Sequence, residues 1–196
     1  LVFRSRWGVP PAARDQKLYQ VSLDAAMPEP LPLDRAQSLS YAPDGAKALY
    51  VRKGNEDYYG NCYKGGQYAD VWMADFATKT FKPVTDYVGR NAYPMWVGDT
   101  MYFNSDRSPD GITNLWAQDL KTGAARQVTR YTDFDVQSPS TDGKTIVYLQ
   151  GGHLHVLDVA TATSRKIPVR IPSDDWRLQE RWINPSDYVH FVDVAG

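Results

Sequence analysis

The sequence predicts an all-β protein of the β-propeller class, and three observations lead to this prediction. A strand-turn-strand unit recurs four times within the 196 residues. It recurs about every 40 residues, which is the length of one four-stranded propeller blade. Apolar residues show no helical periodicity, and Pro and Gly recur too often for long helices.

The repeated unit is a strand followed by a tight turn and a second, shorter strand. Its first strand occupies residues 18–23, 71–76, 115–120 and 154–159. The last three copies share an aspartate: 44 residues separate Asp75 from Asp119, and 39 separate Asp119 from Asp158. A small polar turn and a short apolar strand follow each of these aspartates, so the unit predicts the second half of a blade.

A second hairpin lies upstream of each of these three copies. It runs through residues 40–51, 93–103 and 138–148. Two of the three hairpins carry an Asp-Gly pair, at Asp44-Gly45 and Asp142-Gly143, and glycine adopts the positive φ that a tight hairpin needs. Two hairpins supply the four strands of a blade, whose faces are buried by stacking neighbours around an axis.

The blade boundaries follow from this spacing. Residues 1–33 are predicted to be the later strands of one blade, and the complete blades are residues 36–86, 90–130 and 134–169. Residues 170–196 are predicted to be a connector, with residues 188–194 forming the first strand of a following domain or propeller. Three complete blades and a partial one leave open edges. We therefore expect a segment of a larger ring within a longer protein.

Composition and charge exclude several classes of function. The net charge is −1, from 22 basic and 23 acidic residues, so no electrostatic capture of nucleic acid or of an acidic membrane surface is predicted. No apolar run approaches 18 residues, and we predict no membrane insertion. Cys62 is the only cysteine, which excludes an internal disulfide and a thiolate metal cluster.

Several motifs resemble the propeller repeat shared by TolB-like and tricorn proteins. They are Pro-Asp-Gly at 43–45, Tyr-Phe-Asn-Ser-Asp-Arg at 102–107, Asn-Leu-Trp-Ala-Gln-Asp-Leu at 114–120 and Arg-Gln-Val-Thr at 126–129. Residues 63–72, which begin Tyr-Lys-Gly-Gly, resemble the aromatic-basic-Gly-Gly insertion of the six-bladed N-terminal propeller of tricorn-type serine proteases. The resemblance implies that the blades belong to a six-bladed ring.

Membership of that family implies a role without catalysis for this segment. Such proteases are large oligomeric serine peptidases, and their six-bladed propeller resembles a channel that guides or filters peptides and presents basic residues to the peptide C-terminus. The catalytic Ser, His and acidic residues lie in C-terminal domains that this chain does not contain. The implied partners are peptides, the rest of the protease chain and further copies of it. No cofactor is implied, and the compartment stays open between cytoplasm and periplasm.

Two other functions remain open. The chain could belong to a TolB-like scaffold that binds protein partners, or to the propeller lid of a prolyl-oligopeptidase-like hydrolase. The sequences flanking the blades distinguish these three, because a propeller by itself serves many functions.

The loop of residues 53–68 is the candidate binding segment. It lengthens its blade by about a dozen residues, and long loops in compact domains are often functional. It combines aromatic and basic side chains at Tyr58, Tyr59, Tyr63, Lys64 and Tyr68. We expect these residues to contact a peptide or a partner, with subunit or interdomain packing as the alternative use of the same loop.

We assign no catalytic residue and no metal ligand. His153 and His155 would share one face of a strand, but His155 occupies the repeat position of Trp72 and Trp116, so we interpret it as a packed aromatic-sized residue. Two further clusters carry charge. Asp106-Arg107 is expected to tie a turn, and the neighbours Asp133 and Asp135 are expected to be solvated or to cap turns.

Overall fold

The computed structural model describes residues 1–9, 16–24, 27–52, 60–170, 172, 178 and 180–187. In this part of the chain the structure consists of strands, with one short 3₁₀ turn at Pro185–Asp187. The prediction of an all-β fold is therefore confirmed. None of these residues belongs to a helix with the length and apolarity that crossing a bilayer requires.

Each sheet is an antiparallel meander of strands that follow one another in sequence. Blade 1 comprises β1 (Val2–Ser5), β2 (Lys17–Gln20) and β3 (Glu29–Pro30). Blade 2 comprises β4 (Leu39–Tyr41), β5 (Lys47–Val51), β6 (Val71–Asp75) and β7 (Thr80–Pro83). Blade 3 comprises β8 (Asn91–Val97), β9 (Thr100–Ser105), β10 (Asn114–Asp119) and β11 (Ala125–Gln127). Blade 4 comprises β12 (Gln137–Thr141), β13 (Thr145–Gln150), β14 (His153–Asp158) and β15 (Thr163–Lys166).

The described residues thus form three four-stranded blades and one three-stranded blade, as the sequence predicted for the fold class. The first strands of the blades meet in the interior, where β8 packs against β4 and β5, and β12 packs against β8 and β9. A count of six blades remains a prediction. The expected strand at 188–194 lies outside the described residues.

Neighbouring blades stack face to face. Each blade has a forward face, which in blades 1 to 3 points toward the next blade in sequence and in blade 4 is the equivalent face of the sheet. The forward faces include Leu49, Val51 and Val71 in blade 2, Tyr102, Asn104 and Leu115 in blade 3, and Val147, Leu149 and Leu154 in blade 4. The forward face of blade 2 packs against Met101 and Phe103. That of blade 3 packs against Ile146, Tyr148 and Leu157.

A cross-strand aromatic pair recurs at one register position in every blade. The pairs are Phe3 with Tyr19, Tyr50 with Trp72, Phe103 with Trp116, and Tyr148 with His155. Directly opposed aromatic side chains stabilise antiparallel sheets. His155 therefore occupies the aromatic site of its blade, and its ring stacks on that of Tyr148 with centroids 5.4 Å apart.

The shared aspartates cap the turn after the third strand. In each turn a carboxylate oxygen accepts a hydrogen bond from the amide three residues later. The bonds join Asp75 to Thr78, Asp119 to Thr122 and Asp158 to Thr161, at 3.0, 2.7 and 2.8 Å. These amide donors lower the pKa of all three carboxyls, because they favour the charged form.

The antiparallel meander gives every blade two distinct ends. The hairpin end carries the turns between first and second strands and between third and fourth strands. The connector end carries the loops between second and third strands, at residues 106–113 and 151–152 and at the described residues 52 and 60–70, together with the connections between blades. The described part of the long loop that the sequence singled out therefore lies at the connector end.

Candidate functional site

The described part of the long loop places three of the five predicted binding residues at the connector end. Lys64 is exposed, whereas Tyr63 and Tyr68 are half-buried. A Cβ atom at Gly65 would overlap the phenol end of the Tyr63 ring, so a larger residue there would displace that ring. Tyr58 and Tyr59 lie outside the described residues.

The loop is tied to the two following blades through the side chain of Asn61. Its amide nitrogen donates to both oxygens of Asp135, at 2.8 and 2.9 Å, and its carbonyl oxygen accepts from the Thr113 hydroxyl at 2.9 Å. Asp135 also accepts from the Thr113 amide at 2.7 Å. These bonds link the loop of blade 2 to blade 3 and to the connection between blades 3 and 4, and we call residues 60–62 the strap.

A second tie runs through the adjacent residue. The Cys62 amide donates to Asp106 at 2.5 Å, and the other oxygen of Asp106 accepts from the Arg90 amide at 2.9 Å. Asp106 is only 1% exposed, so these bonds compensate for the burial of its charge. The sequence predicted a tie within one turn. The carboxylate instead joins the strap to the connection between blades 2 and 3.

Arg107 has a different role from its neighbour Asp106. Its guanidinium lies over the rings of Tyr87, Phe103 and Trp116, with distances of 5.1 to 5.3 Å to their centroids. It also donates to Asn91 at 2.9 Å. Burial lowers the pKa of Arg107, although its high ordinary value keeps the side chain charged. Arg107 thus packs as a cation among aromatic rings inside blade 3.

An open pocket of about 440 Å³ lies beside the strap at the connector end. Its walls come from three blades: Asn61 of the strap, Ile112 of blade 3, the connection at residues 133–135, and the Gly151-Gly152 turn of blade 4. Asp133 accepts hydrogen bonds from the Phe134 amide and from Gln150, both at 2.8 Å. The two aspartates, which were expected to be solvated or to cap turns, thus hold connector-end loops together and also line a pocket.

Neither His153 nor His155 is among the residues that line this pocket, and His190 lies outside the described residues. His155 lies 3.4 Å from the Tyr131 hydroxyl through Nδ1, and burial lowers its pKa. The Tyr148 hydroxyl contacts both Tyr131 and Ser164, and burial raises the pKa of Tyr148. Within the ranges that the structure describes, no three His, Cys, Asp or Glu side chains are grouped so that they could hold a metal ion.

Sequence reasoning missed Asn61 and Thr113. Both are ordinary polar residues in loops, and the Thr113 hydroxyl has no counterpart at the equivalent residue of blade 2, which is Ala69. Asn61 is separated in the chain from Thr113 by 52 residues and from Asp135 by 74 residues, so no local pattern indicates these contacts. The one available signal was the unusual length of the loop that contains Asn61.

The stacked meanders define the class of the molecule, a β-propeller of the kind found in tricorn and TolB proteins. The crystal structure of the tricorn protease matches 82% of this chain and 15% of that chain, with a TM-score of 0.69 and 28% identity. TolB from Acinetobacter baumannii matches 79% of this chain and 38% of that chain, with a TM-score of 0.58 and 21% identity. At that lower identity the likeness shows the fold alone.

The particular family follows from the sequence comparison. The family model described as the tricorn protease N-terminal beta propeller domain matches residues 1–163, and the chain belongs to this family. A tricorn protease homolog of Saccharolobus solfataricus is 28% identical over 179 residues, covering 91% of this chain and 16% of the relative. Tricorn protease homolog 1 of Streptomyces coelicolor is 30% identical over 176 residues, covering 84% and 16%. The chain thus spans about a sixth of these relatives.

Proposed function

We propose that this propeller segment guides or filters peptides for a tricorn-like serine peptidase whose catalytic residues lie outside the chain. The observation that carries the proposal is the long loop at the connector end, which exposes Lys64 and holds Tyr63 and Tyr68 half-buried beside it. Aromatic rings and a cation suit an extended peptide, since rings bury apolar side chains and an ammonium pairs with the terminal carboxylate.

The strap supports this proposal because a loop that contacts a passing chain has to be held in place. The side chain of Asn61 and the amide of Cys62 fix one end of the described loop segment to Thr113, Asp135 and Asp106. A preorganised loop loses less entropy when it binds a ligand. The proposed partners are peptides, the rest of a protease chain and, as the family resemblance implies, further copies of that chain.

Calorimetric titration of the 196-residue chain with the neutral-side-chain peptide Ala-Phe-Ala-Leu-Gly tests the proposal. We expect binding that Tyr63→Ala and Lys64→Ala each weaken by about three- to tenfold, the effect of one aromatic or ionic contact. Phe81→Ala is the matched control, because Phe81 is an exposed aromatic residue on the outer strand of the same blade. Thermal unfolding verifies that each variant folds.

Two results would contradict the proposal. One is the absence of any peptide binding by a folded chain. The other is hydrolysis of the peptide by the chain alone, abolished by a serine-reactive inhibitor, because we expect no turnover without the catalytic domains. Equal binding by all variants would show that the peptide does not contact Tyr63 or Lys64 of this loop.

The TolB-like scaffold is the second candidate function. Its support is the likeness of fold to TolB, which at 21% identity is weaker than the 28% shared with the tricorn protease. A scaffold for folded proteins would bind a partner domain and leave short peptides in solution. The titration with a short peptide therefore also separates these two functions.

A further inference from the structure

The pocket beside the strap carries negative charge, whereas the exposed Lys64 of the loop carries positive charge. Two carboxylates, Asp133 and Asp135, lie in its wall, and the described residues that line it include no Lys or Arg. The remaining lining side chains are neutral amides, Ile112 and the ring of Phe134. The pocket is therefore acidic within a chain whose net charge is only −1.

The carboxylates of the pocket keep unused acceptor capacity. An ionised carboxylate has about four acceptor positions. Oδ1 of Asp133 accepts from the Phe134 amide and from Gln150, whereas no donor to Oδ2 occurs among the residues that the structure describes. Asp135 accepts three bonds from Asn61 and Thr113. Asp133 is thus oriented by its neighbours and still able to accept from a ligand.

An exposed aromatic ring adjoins this carboxylate. Phe134 is 61% exposed although its neighbours anchor the backbone on both sides. The ring lies against the Gly151 backbone, where a Cβ atom would come within 3.3 Å of it. Gly151 also has φ +56°, a conformation that side chains disfavour, so glycine leaves the ring flush against the turn. The exposed ring therefore lines the pocket next to Asp133.

We propose that this pocket binds a basic side chain of a peptide, with arginine preferred over lysine. A guanidinium stacks on an aromatic face and donates two parallel hydrogen bonds to a carboxylate, whereas an ammonium is a more strongly hydrated point charge. Phe134 and Asp133 supply these two contacts side by side. The inference rests on the proposed peptide-guiding function and adds a preference for peptides that carry arginine.

The test compares two peptides that differ only in charge. The capped peptide acetyl-Ala-Ala-Arg-Ala-amide is titrated into the 196-residue chain in the presence of a metal chelator, and so is the same peptide with citrulline in place of arginine. Citrulline keeps the length and planar shape of the side chain but is neutral. We expect the arginine peptide to bind about tenfold more tightly, from one ion pair and one cation–π contact.

Two variants locate the binding site. Asp133→Asn keeps an acceptor for Phe134 and Gln150 and removes the charge, and we expect it to weaken the arginine peptide by about three- to fivefold. Phe134→Leu is expected to weaken it by about two- to fivefold. Asp142→Asn is the matched control, because Asp142 is an exposed turn-capping aspartate at the hairpin end of the same blade.

The outcomes separate this inference from the proposed function. Equal binding of the arginine and citrulline peptides would overturn the pocket and leave peptide guiding intact. Equal losses in Asp133→Asn and Asp142→Asn would show a general charge effect and would also overturn it. Failure of the chain to bind the two capped peptides and also the neutral peptide Ala-Phe-Ala-Leu-Gly would overturn both proposals, whereas binding of that neutral peptide alone would overturn only the pocket.

Discussion

Blades 3 and 4 contain the same repeat but differ in what covers their forward faces. Leu115 in β10 and Leu154 in β14 occupy the same position, and the carbonyl of each accepts a 2.8 Å hydrogen bond from the amide of the residue that follows the fourth strand. Leu115 is fully buried against blade 4, whereas Leu154 is 36% exposed. The difference is environmental, because the two residues share identity, strand and register.

This comparison shows that the burial of residues on the forward face depends more on the neighbouring blade than on the sequence of the blade that carries them. β9 is buried at five of six positions, whereas β13 alternates between buried and exposed residues. Yet the exposed positions of β13 are Val147 and Leu149, which are apolar like the covered positions of blade 2. The sequence of blade 4 thus retains a face suited to packing, as a blade of a larger ring would.

The largest expected effect comes from truncating the two equivalent leucines. Leu115→Ala should lower the free energy of unfolding by about 2–5 kcal/mol, because it leaves a cavity between two blades. Leu154→Ala should cost less than about 1 kcal/mol, since part of its side chain already contacts water. Urea unfolding of both variants measures the difference. Equal costs would mean that the forward face of blade 4 is covered in solution.

A hydroxyl that blade 4 lacks should give the next largest effect. Thr129 accepts from the Leu115 amide and donates to Asn114, both at 2.9 Å, while the equivalent position in blade 4 is Pro168. Thr129→Val removes these buried bonds and should cost about 1–3 kcal/mol in the same unfolding assay. The exposed Thr163→Val is the control, with an expected change below about 0.5 kcal/mol. Similar values for the two would contradict the buried role of Thr129.

A smaller effect, of opposite sign in the two blades, is expected at the turn before the fourth strand. Gly123 in blade 3 has φ +78°, and Ala162 in blade 4 has φ +54°. Gly123→Ala should destabilise the protein by about 1 kcal/mol, because a side chain disfavours this conformation. Ala162→Gly should be neutral or stabilising by up to about 1 kcal/mol, with melting temperatures as the measurement. A lower melting temperature in both variants would contradict the claim that the positive φ of Ala162 destabilises the folded state.

The smallest expected difference is in the response to pH, where the two blades should agree. Backbone amide donors lower the pKa values of Asp119 and Asp158. Each charged carboxylate therefore stabilises the folded state fully above the ordinary pKa of about 3.9, and this stabilisation is lost as the pH falls through the lowered pKa of the folded state. Asp119→Asn and Asp158→Asn should each reduce the acid sensitivity of unfolding. A variant that unfolds in acid like the parent would contradict the capping role at that turn.

Sequence reasoning succeeded where the chain repeats itself. The Asp-Gly pairs predicted the positive φ now found at Gly45 and Gly143, because glycine is the residue that reaches it freely. The same conformation at Lys79 and Ala162 was not predicted, since neither side chain favours it and only the turn geometry imposes it.

The candidate site was predictable only in part. A loop rich in Tyr with Lys64 is visible in the sequence, but the strap that holds it depends on contacts between residues far apart in the chain. The acidic pocket was likewise not predicted, because Asp133 and Phe134 acquire a concave setting only when blade 4 places Gly151 beside them.

Hydrogen–deuterium exchange with and without bound peptide tests the central functional claim most directly. With Ala-Phe-Ala-Leu-Gly at saturation, we expect new protection in residues 60–68 and elsewhere at the connector end. No change is expected in the hairpin-end turns at residues 43–46, 98–99 and 142–144. Protection confined to the hairpin end, or to the outer strands, would contradict the account of the connector end as the peptide-contacting surface.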